Sequence, residues 1–167
     1  MIGSFLPLYT VQDATVSARG SFEDVYRAEG DRLWRSLLLF TGNSEAAGDA
    51  VAEAFTQALS GWERIRDPRA WVWKAAFRIA SGEMARRRTL VELPRGLAAD
   101  TPESLTDLIR ALAALSRRQR EAVVLHLYAG YRLMEIAAMT GTTPAAVAVH
   151  LHRAKRRLRS LLEVEDA

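Results

Sequence analysis

Residues 133–158 read LMEIAAMTGTTPAAVAVHLHRAKRRL, and this stretch decides the fold. It divides into a short apolar helix with Glu135-Ile136-Ala137, a turn Thr140-Gly141-Thr142-Thr143, and a longer helix opened by Pro144. Thr143 is a good N-cap, and proline suits the first helical position because its missing N–H would be unpaired there anyway. Glycine permits the left-handed backbone that joins two such helices closely. In the second helix Val147, Leu151, Ala154 and Leu158 recur at helical spacing and form one inward stripe. At ~100° per residue the opposite face centres on Val149, His152 and Arg156, flanked by Ala145, Ala148 and Arg153. This is a helix-turn-helix, whose second helix can enter a DNA major groove and present its N-terminal part to base edges. Thr142 and Thr143 lie at the helix end that favours phosphate. Five bases without an acid, Arg153, Lys155, Arg156, Arg157 and Arg159, supply phosphate neutralisation.

Working outward, the rest of the chain also reads as helical. Apolar residues are spaced by three and four, and no stretch alternates with period two. N-terminal to the motif, Ser116 forms a capping box with Gln119 and opens a helix to about Ala129. Before it, Leu105, Leu108, Ile109, Leu112 and Leu115 make a helical stripe. Residues 89–103 contain Pro94, Gly96 and Pro102 with little periodicity and read as a linker. Three helices precede it. The first starts at the N-cap Ser21, offers Phe22, Val25, Tyr26, Leu33, Leu37 and Phe40 to a core, and ends near Gly42. The second, about residues 44–60, offers Ala47, Val51, Ala54, Phe55 and Leu59. The third, about 68–88, carries Trp71, Ala75 and Ile79 on one stripe. The fold class expected is therefore all-α: two small helical domains joined by a linker, the second a helix-turn-helix domain. The boundaries are 1–20 for an N-terminal extension, 21–88, 89–103 for the linker, and 104–167.

Composition excludes several classes. The 167 residues are 49% hydrophobic, yet no apolar run approaches the ~20 residues of a membrane span, and no signal peptide is visible. A cytoplasmic protein is expected. Absence of cysteine rules out disulfides and thiolate chemistry. His150 and His152 are two apart on a helix and do not share a face, and His126 lies elsewhere, so no metal site or other cofactor is expected. No phosphate-binding glycine loop, nucleophile elbow or HExxH pattern occurs, which argues against an enzyme. The net charge of +3 is unevenly spread: acids predominate over residues 21–53 and bases over 64–88 and 153–159. Such asymmetry suits a polyanion on some faces and a protein partner on another. Trp62, Trp73 and Phe77 beside Arg64, Arg66, Arg69, Lys74 and Arg78 suit single-stranded DNA, where aromatic rings stack on bases and cations track phosphates. Trp71 is expected in the core.

The ordered combination resembles an extracytoplasmic-function sigma factor of bacterial RNA polymerase over about residues 22–162. ALSRRQREAVVLHLYAGYRLMEIAAMTGTTPAAVAVHLHRAKRRLR (114–159) is similar to the family's fourth conserved region. GDAVAEAFTQAL (48–59) resembles the polymerase-docking part of its second region, with Asp49, Glu53 and Phe55 at the family's Asp, Glu and Phe. DPRAWVWKAAFRIASGEMARRR (67–88) is similar to the promoter-melting part, with Trp71 at the family's tryptophan. The resemblance implies that Asp49, Ala50, Glu53 and Phe55 dock on core RNA polymerase. It implies that the third helix opens the minus-ten element and that the helix-turn-helix reads the minus-thirty-five element through Thr142, Thr143, Ala145, Ala148, Val149, His152, Arg153 and Arg156. The partners implied are the two largest polymerase subunits, promoter DNA and an anti-sigma factor. Departures from the family pattern are Arg78 for a frequent Asn, Gly82 for an Asp, Ala52 for a Gln, Ala148 for a basic residue and His150 for an Arg. Those in the DNA-facing helices imply a normal docking mode and an unusual promoter sequence, whereas Ala52 bears on affinity for the polymerase. A helix-turn-helix regulator acting without core polymerase is the alternative.

Overall fold

The computed structural model describes residues 20–87 and 97–165. The N-terminal extension, most of the linker and the last two residues lie outside it. Among the described residues there is no β-strand.

Local chemistry accounts for where the helices start and stop. Helix α1 (Phe22–Thr41) begins at a capping box: Ser21 Oγ accepts from the Asp24 amide and the Asp24 carboxylate accepts from the Ser21 amide, both at 3.1 Å. It ends at Gly42 with φ 68°, whose amide donates to the Leu38 carbonyl. Helix α2 (Ser44–Gly61) is capped by Asn43, which accepts from the Ala46 amide at 2.9 Å. A 3-10 turn (Trp62–Arg64) leads to α3 (Pro68–Arg86), capped by Asp67 with proline at its first position. After the linker come α4 (Glu103–Ala113) and α5 (Arg117–Val123), the latter starting at the expected Ser116–Gln119 capping box and widening into a π turn over Val124–Tyr128. Helices α6 (Leu133–Thr140) and α7 (Pro144–Glu165) complete the helix-turn-helix.

The first three helices pack on one another around Leu33, Leu37, Phe40, Ala54, Val72, Trp73 and Phe77. The last four pack around Ile109, Leu125, Ile136, Val147 and Ala154. The two groups are also in contact: α1 touches α4, α5 and the π turn, and α3 touches α6. Gly42 lies against Ile109, where a Cβ would come within 3.4 Å of the isoleucine.

Four core expectations need correction. Tyr26, Leu59 and Leu108 are exposed, and Trp71 is half-buried at the core's margin while Trp73 is sealed inside it. Trp71 and Trp73 lie roughly 160° apart on a helix, so only one can face inward. Helix α3 is apolar on much of its circumference, and packing by the second helical group selects Trp73.

Candidate nucleic-acid interface

The helix-turn-helix is built by three short-range devices. Gly141 adopts φ 66° and its amide donates to the Ala137 carbonyl, as does the Thr142 amide at 3.0 Å. Thr143 Oγ1 then accepts from the Ala146 amide at 3.2 Å, and the Thr143 carbonyl takes the Val147 amide at 3.0 Å. Arg118, held by Glu121 at 3.1 Å, donates to the Thr140 carbonyl at 3.3 Å and braces the turn from α5. Val147, Leu151 and Ala154 face inward and Leu158 is half-buried. Opposite them, Thr143, Ala145, Ala148, Val149, His152, Arg153 and Arg156 are exposed and Thr142 is half-exposed. Among the described residues nothing covers this face beyond the partial burial of Thr142.

The first helical group divides its expected residues differently. Arg64, Arg66, Lys74 and Arg78 are exposed. Arg69 is exposed too, but its Nε is 2.9 Å from Glu29 Oε1. Trp62 is half-buried, edge-on to Phe22 at 5.2 Å between centroids. Trp73 and Phe77 are corrections to the sequence reading: they are 0% and 1% exposed, and neither presents a ring to a base. Trp73 donates through Nε1 to buried Glu29 at 2.9 Å and packs parallel to Phe77 at 6.1 Å.

The docking helix is split in the same way. Asp49 and Glu53 stand exposed one turn apart on α2, with Gln57 donating to Glu53 at 2.7 Å. They line a cleft of about 500 Å³ shared with Glu83, Arg86 and Arg87 of α3. Ala50 is a correction to the docking reading, and Phe55, expected both in the core stripe and in docking, takes the first place: both are buried and hold α2 to the core rather than facing a partner. Phe55 sits edge-on to Phe22 and Tyr26, at 5.7 and 4.9 Å.

What sequence reasoning missed is a polar seam between the two helical groups. Arg32 of α1 is 3.5 Å from Glu29, donates to the Ala129 carbonyl and lies over the rings of Trp73 and Tyr131, at 5.1 and 6.0 Å from their centroids. Arg120 of α5 donates to the Phe40 carbonyl at 3.0 Å, and to those of Ala113 and Leu115 at 3.1 and 3.3 Å. A cation there satisfies carbonyls that the C-terminus of α1 leaves open. Ser81 of α3 donates to buried Glu121 at 3.4 Å and its carbonyl accepts from Arg117 at 3.4 Å. Burial pushes the Glu121 carboxyl above its ordinary range, against the opposing pull of Arg118 and Arg117. Burial likewise pushes the Tyr131 phenol up to about 12. His126 donates from Nδ1 to the Tyr131 carbonyl at 2.8 Å, a fold-internal role. Among the described residues no acidic, histidine or cysteine cluster could hold a metal, and no helix is long and apolar enough to cross a membrane.

Comparison with known proteins places this geometry. Residues 105–158 match the family model described as Sigma-70, region 4, and they span α4 through most of α7. An RNA polymerase sigma-E factor of Streptomyces antibioticus is 31% identical across 87% of this chain and 86% of its own length. The chain belongs to the extracytoplasmic-function sigma factors of RNA polymerase. The extracytoplasmic-function sigma factor SigL of Mycobacterium tuberculosis is 27% identical across 92% of this chain and 95% of its own. The fold is shared with the sigma factor RpoE of Bartonella quintana, solved with its anti-sigma factor NepR, at a TM-score of 0.73 and 22% identity, covering 86% of this chain and 97% of that one. A sigma factor binds core RNA polymerase and gives it promoter specificity, and that is this chain's activity.

Proposed function

We propose that this sigma factor works as two modules, residues 21–88 and 104–167 joined by a linker at 89–103, with separate tasks. The observation that carries the reading is the uninterrupted exposed face of α7, cationic toward its C-terminal half, opposite a buried stripe. Thr142, Thr143, Ala145, Ala148, Val149, His152, Arg153 and Arg156 engage the minus-thirty-five element, with base edges near the helix start and phosphates near the arginines. Arg64, Arg66, Arg69, Lys74 and Arg78, with Trp62 beside them, engage the minus-ten element. Asp49 and Glu53 dock on the polymerase. Exposed Leu127 and Met134, an apolar surface on the second module, suit contact with protein rather than DNA. The protein acts by binding, catalyses nothing, and works in the cytoplasm where the polymerase is.

Its two promoter elements lie about 25 base pairs apart, roughly 85 Å at ~3.4 Å per base pair. A 167-residue chain packed as one body has a radius of gyration of only about 15 Å. The closed arrangement therefore cannot touch both elements, and the seam at Arg32, Arg120 and Glu121 must part when polymerase binds. An anti-sigma factor that holds the closed form is the corresponding negative regulator, in line with the NepR complex of the Bartonella protein.

The test is transcription from a supercoiled template pool with purified core polymerase, with and without the full chain. Discrete promoter-dependent transcripts are expected only when the chain is added. Their absence at saturating chain, with core verified active on nicked DNA, would overturn the reading.

A further inference from the structure

The centre of the DNA-facing surface of α7 is a valine. Val149 is 46% exposed. Valine has lower helix propensity than alanine, so an exposed Val149 adds nothing to the stability of α7. It also lies roughly 140–160° from Val147, Leu151 and Ala154, so it has no part in the stripe that holds α7 to its neighbours. Ala145 and Arg153 flank it at roughly 40° on either side, and Arg156 lies about two turns below at roughly 20°. Its position is between one and two turns from the Pro144 start, within the part of such a helix that reaches base edges.

Three further features suit it to a particular base. The side chain is stiff at χ1, so its two methyls stand in one place on the helix. Ala145 and Ala148, both exposed, carry only a Cβ and let the helix sit deep in the groove. Arg153 and Arg156 are exposed and supply the phosphate contacts that hold the helix there. In the major groove the one apolar group that a base pair presents is the C5 methyl of thymine. Among base edges the thymine methyl is the group that complements a rigid apolar side chain on this face.

We infer that Val149 determines specificity by packing on a thymine methyl in the minus-thirty-five element. The inference rests on the proposed reading of α7 as the helix that contacts this element. Val149 gains by excluding water from the methyl and makes no hydrogen bond, so it selects thymine over cytosine, and over adenine or guanine, which lack the group.

The experiment uses holoenzyme assembled from the full chain and core polymerase. Promoter duplexes are first selected from a pool randomised upstream, and each enriched thymine is then replaced singly by deoxyuridine, which deletes only the methyl. One position is expected to lose about fourfold in affinity, the worth of one buried methyl. With Val149→Ala the thymine and deoxyuridine duplexes should bind alike, and Val149→Thr, which keeps one methyl and the shape, should fall between. Unchanged unfolding midpoints for both variants verify that the fold is intact. If no thymine is methyl-sensitive, or if the sensitivity survives in Val149→Ala, the inference is overturned while the helix's role stands. If holoenzyme assembles but enriches no upstream sequence at all, the assignment of α7 fails with it.

Discussion

Tyr131, from the second helical group, stands edge-on to Trp73 of the first, with ring centroids 5.1 Å apart and planes at 63°. Their contact is one of those that join the two helical groups. Arg32 lies over both rings, and Glu29 accepts the indole N–H beneath them. Trp73 thus packs against Phe77 and Glu29 within its own helical group and is covered on a further side by Tyr131, 58 residues along the chain. This makes it a natural reporter of opening, since the other three of the four tryptophans, Trp34, Trp62 and Trp71, are already partly exposed.

Replacing Tyr131 by alanine removes the ring that covers Trp73 and leaves a gap at the seam. The expected outcome is a red-shifted tryptophan emission and a loss of about 2–3 kcal/mol in urea unfolding. An emission spectrum indistinguishable from the parent's would show that the seam is not what seals Trp73. The same shift should follow when the parent binds core polymerase, if the modules part there.

Stability should fall as the pH rises through the range where buried Glu121 ionises. Burial holds its folded-state value above the unfolded one, so the unfolded chain gives up the proton first. The favourable contribution is then complete below the ordinary glutamate range and is lost as pH climbs through the raised value. Glu121→Gln should erase this slope without lowering stability at neutral pH. Urea midpoints of the two proteins across that interval check the point; parallel curves would reject it.

Charge reversal at Asp49 and Glu53 should weaken the complex with core polymerase at least about tenfold, chiefly by slowing association. Both side chains are exposed, so thermal unfolding should change by no more than ~0.5 kcal/mol. Ala50→Ser or Phe55→Ala should do the reverse, costing stability first because both are core residues. Titration of labelled variants against core polymerase, beside melting curves, distinguishes the two groups.

Arg153 and Arg156 stand exposed on α7, so each should act as a phosphate contact. Replacing either by alanine is expected to reduce the slope of log affinity against log salt by ~0.9 and to weaken all promoters alike. A change in sequence preference with an unchanged salt slope would instead make the residue a base reader.

Helix boundaries, the helix-turn-helix and its outward face were legible in the sequence because they depend on neighbours three or four residues away. Ser21 meets Asp24, Ser116 meets Gln119, Thr143 caps the helix that Pro144 opens, and Gly42 and Gly141 take the left-handed backbone their positions require. Each is a local bargain of hydrogen bonds and sterics, and 3.6-residue periodicity then assigns the inner and outer faces of α7. The buried stripe of α2 was legible in Ala47, Val51, Ala54 and Phe55, but which face of α3 is hidden was not. Trp71 and Trp73 point to opposite sides of one helix, and both sides are apolar; Ala50 and Phe55 match a docking motif yet are turned inward. Only the packing of helices far apart in sequence decides such cases, because burial is a property of the whole surface removed from water. For the same reason Arg32, Arg120 and Glu121, ordinary surface charges on a helical wheel, became the polar seam between two modules only when the chain folded back on itself.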